Sequence, residues 1–179
     1  AERKNGRASN EYARSFRYYT IKLMNLDRHD EAIKLLEHDI AFRETLPNQN
    51  SNIAAAHYSI LDAHYPNLTP TFDSAIVSSI KFHKENDMDQ HWTYATTLYF
   101  QALVSRDRNR IEDAFKHFKS FVQISKANGD TLDTDYINGL IHIGNYHHNI
   151  LQYDKSRPYY NQAFALAQNP RFRNTWVYG

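Results

Sequence analysis

Residues 135–168 read DYINGLIHIGNYHHNILQYDKSRPYYNQAFALAQ, and this stretch decides the fold. In its first half Leu140, Ile143, Gly144, His147 and Leu151 recur at helical spacing and form one apolar or small-residue stripe. Asn138, His142, Asn145 and Asn149 form a second stripe on the same segment, and it is polar. A turn centred on Leu151, Gln152 and Tyr153 follows. Ser156, Tyr160, Ala163 and Phe164 then make the inner face of a second helix. A helical pair of this length is marginal in water by itself, so each stripe implies neighbours that cover it.

The turn carries a signature that returns along the chain: a bulky residue, an acid, any residue, a small residue. It reads Tyr153-Asp154-Lys155-Ser156 here and recurs as Ile111-Glu112-Asp113-Ala114, Phe72-Asp73-Ser74-Ala75 and His29-Asp30-Glu31-Ala32. The small residues lie 43, 39 and 42 positions apart, a period that marks a helical solenoid. The acid sits where a helix begins and meets the positive end of its dipole. The small residue allows two helices to approach closely.

These residues resemble the tetratricopeptide-repeat (TPR) family. In the last unit Ile143-Gly144 is followed by Ser156, Tyr160 and Ala163, with Pro170 just beyond. The third unit has Leu98, Ala102, Ala114, Phe118 and Phe121. The first keeps Ala32 and Leu36 but has Asp39 where a small apolar residue is usual. The second keeps Ala75 and Phe82, with Ser79 in place of the aromatic. The resemblance spans residues 11–170 and implies an all-α fold, a right-handed superhelical solenoid of about four TPR-like helix-turn-helix repeats. Those repeats are expected at residues 11–47, 53–87, 90–128 and 135–170, in a single domain over 11–179 that follows a flexible N-terminus at 1–10. The polar residues 46–52 between the first two repeats read as a helix cap. Residues 171–179 read as the start of a further helix. With the missing initiator methionine, this suggests a fragment of a longer protein.

Composition removes several function classes. A net charge of +1 gives no bulk attraction to a polyanion, and no long basic stripe interleaves with the 13 tyrosines and 10 phenylalanines as single-stranded nucleic acid would require. Nucleic acid is therefore not an expected partner. There is no cysteine, so neither disulfides nor thiol chemistry apply. No apolar run is long enough to span a membrane. Ten histidines invite a metal reading. The densest group, residues 83–91, has neither the helical His spacing of a zinc enzyme nor a calcium-loop pattern. No metal or other cofactor is expected. Nucleophile elbows, phosphate loops and dinucleotide fingerprints are absent, so the chain does not read as an enzyme.

In the TPR family the first helices of the pairs line a concave groove that holds an extended peptide or a partner helix. Carried over unit by unit, the resemblance places Arg14, Arg17 and Tyr18 on that face in unit one. In unit three it places Thr96, Tyr99, Phe100 and Arg106 there. In unit four it places Asn138, Ile141, His142, Asn145, His148 and Asn149, while unit two is represented by His57 alone. Asparagine amides donate to and accept from peptide backbone, and an arginine fork fits a carboxylate. The expected function is a non-catalytic protein- or peptide-interaction module, resembling the sensor regions of bacterial signalling and transcription regulators. The absent cysteines and the chain ends fit an extracytoplasmic sensor domain. Two alternatives stay open: a cytoplasmic TPR receptor for peptide pheromones, and a structural scaffold whose groove is packed by its own chain or by a second copy in a homodimer.

Overall fold

The computed structural model describes residues 6–65 and 70–172, and among these are eight α-helices, a 3-10 turn and no strand. The helices are α1 (Asn10–Met24), α2 (His29–Glu44), α3 (Asn50–His64), α4 (Pro70–Glu85), α5 (Trp92–Asp107), α6 (Ile111–Ala127), α7 (Thr134–Asn149) and α8 (Tyr153–Ala167), with the turn at Pro170–Phe172. Each packs on its successor within two compact units, Ala1–Asp89 holding α1–α4 and Gln90–Gly179 holding α5–α8. In the first unit α1 also packs on α3. The expectations for residues 1–5 and for the helix start at 173–179 lie outside the described residues.

The second helix of each pair buries the same face at intervals of four, three and four residues. It is Ala32, Leu36, Asp39 and Arg43 in α2, and Ala114, Phe118, Phe121 and Ser125 in α6. In α8 the face is Ser156, Ala163 and Ala167 with half-buried Tyr160. In α4 it is Phe72, Ile76, Ser79 and His83. The second pair is thus in register through Phe72 and not through Ala75, which is only partly covered. Burying a phenyl ring removes far more apolar surface from water than burying a methyl group, and the register follows the larger gain. On α8 Phe164, expected inward, is exposed, since Ala163 and Ala167 fill the inner face beside it. On α1 the inward residues are Ala13, Thr20, Leu23 and Met24.

Most helix ends are made by one residue in the left-handed region: Asp27, Asn48, Asp87, Asn109, Gly129 and Leu151. At Gln152 the backbone N–H reaches back to the carbonyl of His147 at 2.8 Å, and Arg110 and Arg28 repeat this bond to Ser105 and Leu23. Aspartate, asparagine and glycine tolerate that conformation, whereas a leucine there is strained. Leu151 sits at φ 60° with its side chain in solvent, so nothing apolar is lost on replacing it. Leu151→Asn is expected to stabilise the protein by about 0.5–1 kcal/mol, read as a higher urea midpoint. Pro158 lies in the second turn of α8. Its ring leaves the carbonyl of Asp154 without the usual helical donor, on a residue exposed to water.

Within the polar segment 46–52, the N-cap residue Gln49 makes no side-chain capping bond to α3. Its side-chain oxygen accepts instead from Arg43 at 2.8 Å, and its amide donates to the carbonyl of Ala8 at 3.2 Å. Arg43, fully buried, also bonds Asp39 at 2.6 Å. This network occupies the slot where Asp39 departs from the small apolar residue of the repeat.

Candidate functional site

The polar stripe of α7 does not run over a uniform surface. Asn138 at its start is buried, His142 is half-buried, and Asn145 and Asn149 are exposed. Beside its open end lies a pocket of about 240 Å³, formed where the last turn of α5 and the first half of α6 meet α7. Arg106 comes from α5, Phe115 and Phe118 from α6, and His142, Asn145 and Asn149 from α7. The volume is below the roughly 300–1,000 Å³ typical of enclosed small-molecule sites. It suits the side chain of a segment lying on the surface.

Stacked rings make the floor. His142 lies on Phe118 with centroids 4.4 Å apart and planes 17° from parallel. Phe115 and Tyr146 stack at 4.0 Å. The nitrogen Nη1 of Arg106 is 3.3 Å from Nε2 of His142, and its Nε and Nη2 both donate to Asp107. Because guanidinium is only a donor, the imidazole accepts through Nε2 and carries its proton on Nδ1. Burial, and secondarily Arg106, lower the His142 pKa to about 4, with Asp107 opposing. His142 is therefore neutral near pH 7, and the one full positive charge in the pocket belongs to Arg106.

Gly144 organises the other wall. A Cβ at this position would lie 2.6 Å from Cε1 of Tyr160, so only glycine lets that ring cross α7 so closely. The approach brings the Tyr160 hydroxyl to Asn145, where it donates to Oδ1 at 2.7 Å. With its oxygen held, Asn145 turns its amide N–H groups toward solvent as donors. His147 sits on the packed side of α7, stacked with Tyr159 and edge-on to Phe115, as its place in the apolar stripe implied.

The remaining expected residues are placed differently. Tyr99 and Phe100 are buried, Tyr99 against Phe118 and Phe121, so they belong to the core of their unit and not to an open face. Rings of α6 cover Tyr99, and an aromatic there gains more from burial than from exposure. Asn138 is likewise inside. His148 is exposed at the α7 end, edge-on to Tyr153 and outside the pocket lining. In the first unit Arg14 is exposed, Tyr18 is exposed with the Lys22 amine 5.0 Å from its ring, and Arg17 is half-buried. Burial, then Arg43 and Arg14, lower the Arg17 pKa against the pull of Asp39. Phe115 and Tyr146 belong to the pocket without having been expected there. Their signal is the spacing of Phe115 to Phe118 on α6 and the position of Tyr146 next to the polar stripe. Among the described residues no three His, Asp or Glu side chains cluster as metal ligands, and no helix is long and apolar enough to cross a membrane.

His57 in the first unit is lowered to about 4 as well, by burial and then by His83. Unfolded histidines titrate near ~6.5, so between that pH and about 4 the unfolded chain takes up protons that these two folded imidazoles refuse. Their contribution is complete above the unfolded value and is lost as pH falls through this window. Asp62, raised by burial, acts in the opposite sense. The melting temperature is expected to fall from neutral pH to pH 4, and to fall less in a variant carrying both His57→Phe and His142→Gln. Equal slopes for the two proteins would contradict the buried, neutral state of both rings.

No family model matches the chain, and no curated protein matches it in sequence. Solved structures do match. The apo form of the quorum sensor NprR from B. thuringiensis superposes with a TM-score of 0.70 at 15% identity, over 89% of this chain and 44% of that one. A kinesin-light-chain-type protein of Podosopora anserina with nearly identical TPR-like repeats superposes at 0.52 and 11% identity, over 86% of this chain and 93% of that one. Another structure of such a protein from the same source gives 0.50 at 12% identity, with 88% and 96% covered. The fold is TPR-like. Its helix pairs are TPR-like hairpins, and the pocket opens on α7, the first helix of the last of them. The chain spans less than half the length of the quorum-sensor structure that it resembles.

Proposed function

We propose that this TPR-like chain is a non-catalytic module that captures a peptide or protein segment, and that it is the sensor part of a larger bacterial signalling or transcriptional regulator. The observation that carries the reading is the meeting of Arg106, His142, Asn145 and Asn149 around one pocket with an aromatic floor. Outward-turned amides suit the alternating donors and acceptors of a peptide backbone. Arg106 suits a carboxylate, and the stacked rings receive an apolar side chain. Arg14, Arg17 and Tyr18 form a second patch on α1 that would contact the same kind of ligand. The likeness to a structure described as a quorum sensor agrees with a sensor role.

The test is fluorescence polarisation with a labelled pool of short peptides bearing free C-terminal carboxylates. Asn145→Ala combined with Asn149→Ala is expected to weaken binding at least tenfold, about 1.4 kcal/mol, with the melting temperature nearly unchanged because both residues are exposed. Undiminished affinity in that variant would remove the assignment.

A further inference from the structure

A larger cavity lies in the other unit and shares no residue with the α7 pocket. It is a furrow of about 540 Å³ walled by α2 and α4 and floored by α3. The α4 wall is built of small residues, Thr71, Ser74, Ala75 and Ser78, so the furrow stays open along its length. The floor presents His57, Ile60 and His64 at helical spacing. His57 rests on Phe82 and His64 on Phe72. Ile33 and Ile40 complete the apolar lining from α2.

The rim on α2 is acidic. Asp30, Glu37 and Glu44 line the furrow seven residues apart, so they fall on one face at intervals of about 10.5 Å along the helix. None of them is in an ion pair among the described residues. Glu37 and Asp30 both raise the pKa of His64 against the larger effect of its burial, which sets their charge over the floor. Against these three carboxylates the lining offers only Lys34, so the furrow is net negative on a chain whose overall charge is +1.

We infer that this furrow is a docking site for a basic amphipathic helix of a partner protein. A helix is the occupant whose own repeat matches the rim, since lysine or arginine at every seventh position meets the three carboxylates in turn. Its apolar stripe lies against the Ile and His floor, and the small residues of α4 allow its backbone to come close. An acidic or purely polar segment has no counterpart in this lining. The site is independent of the α7 pocket: it is on other helices, has the opposite sign, and takes a helix where the other takes an extended segment.

The probe is a synthetic amphipathic helix with leucines on one face and lysines at seven-residue intervals beside them, titrated by calorimetry into the full chain. Its partner probe has each lysine replaced by glutamate. Saturable binding of the basic peptide and none of the acidic one are expected. Glu37→Lys with Glu44→Lys should weaken the basic peptide at least tenfold. Ser78→Trp, which blocks the furrow from an exposed position, should do the same without changing any carboxylate. Asn145→Ala with Asn149→Ala should leave it untouched, which separates this site from the α7 pocket. Absence of binding, equal binding of both peptides, or full affinity in either furrow variant, checked as folded by circular dichroism, would overturn the inference.

Discussion

Gly144→Leu should lower stability by about 2–3 kcal/mol in urea unfolding, the largest effect expected of a single change near the site. The first side-chain atom alone would stand 2.6 Å from the Tyr160 ring, and no shift of a flexible tip relieves that contact, because the ring itself is packed between α7 and α8. Leucine gains somewhat less than the about 0.8–1 kcal/mol of helix propensity that alanine has over glycine, which offsets part of the loss without reversing it. Tyr160 must move, and with it goes the hydroxyl that orients Asn145. The variant should therefore lose peptide binding more than its remaining folded fraction explains. Adding Tyr160→Ala should recover stability, so the two changes combine less than additively while binding stays weak. An ordinary unfolding curve for Gly144→Leu would contradict the packing of α7 on α8.

Asp39→Ala should be costlier, about 3–5 kcal/mol, because it leaves a buried guanidinium without its anion. Arg43 is fully buried, its Nε is 2.6 Å from Asp39, and its other nitrogens reach Gln49 and, at 3.4 Å, the carbonyl of Arg7. Neither Gln49 nor a carbonyl carries a charge, so nothing else compensates. The pair itself need not add stability over an apolar filling: Asp39→Leu with Arg43→Met should recover most of the loss. The network does set the position of the chain start, since Arg43 and Gln49 together hold the backbone at Arg7 and Ala8, and Asn52 holds Asn10 at 2.8 Å. Amide exchange near residues 7–10 should therefore quicken in the apolar double variant even where the melting temperature is restored. Unchanged exchange there would assign the buried pair no positioning role.

The helix pairs are legible in the sequence because their signal is repeated. Ala32, Ala114 and Ser156 sit at the same place in three helices, and any one pair is ambiguous without the others. The second pair differs in register from its sequence pattern because Phe72, the bulky first residue of the turn signature, enters the core where the small fourth residue does in the other pairs, and only the packed structure shows this. At the site, the α7 stripe is readable from spacing alone, since Asn138, His142, Asn145 and Asn149 must share a face. How deep each residue sits along that face is not readable. Depth depends on how the neighbouring helices pack, which leaves Asn138 buried and Asn149 exposed. Tyr99 and Phe100 show the same limit: an aromatic on a helix reads alike as an anchor for a partner and as core, and burial decides. The acidic rim of the furrow is present in the spacing of Asp30, Glu37 and Glu44. Its meaning requires the small residues of α4 across from it.

The most direct test of a ligand-binding α7 face is amide chemical-shift mapping on the isotope-labelled full chain, titrated with the tightest-binding peptide of the pool. Shifts concentrated at residues 142–149 and around Arg106 and Phe115 are expected. Shifts confined to other surfaces, or none at saturating peptide, would contradict it.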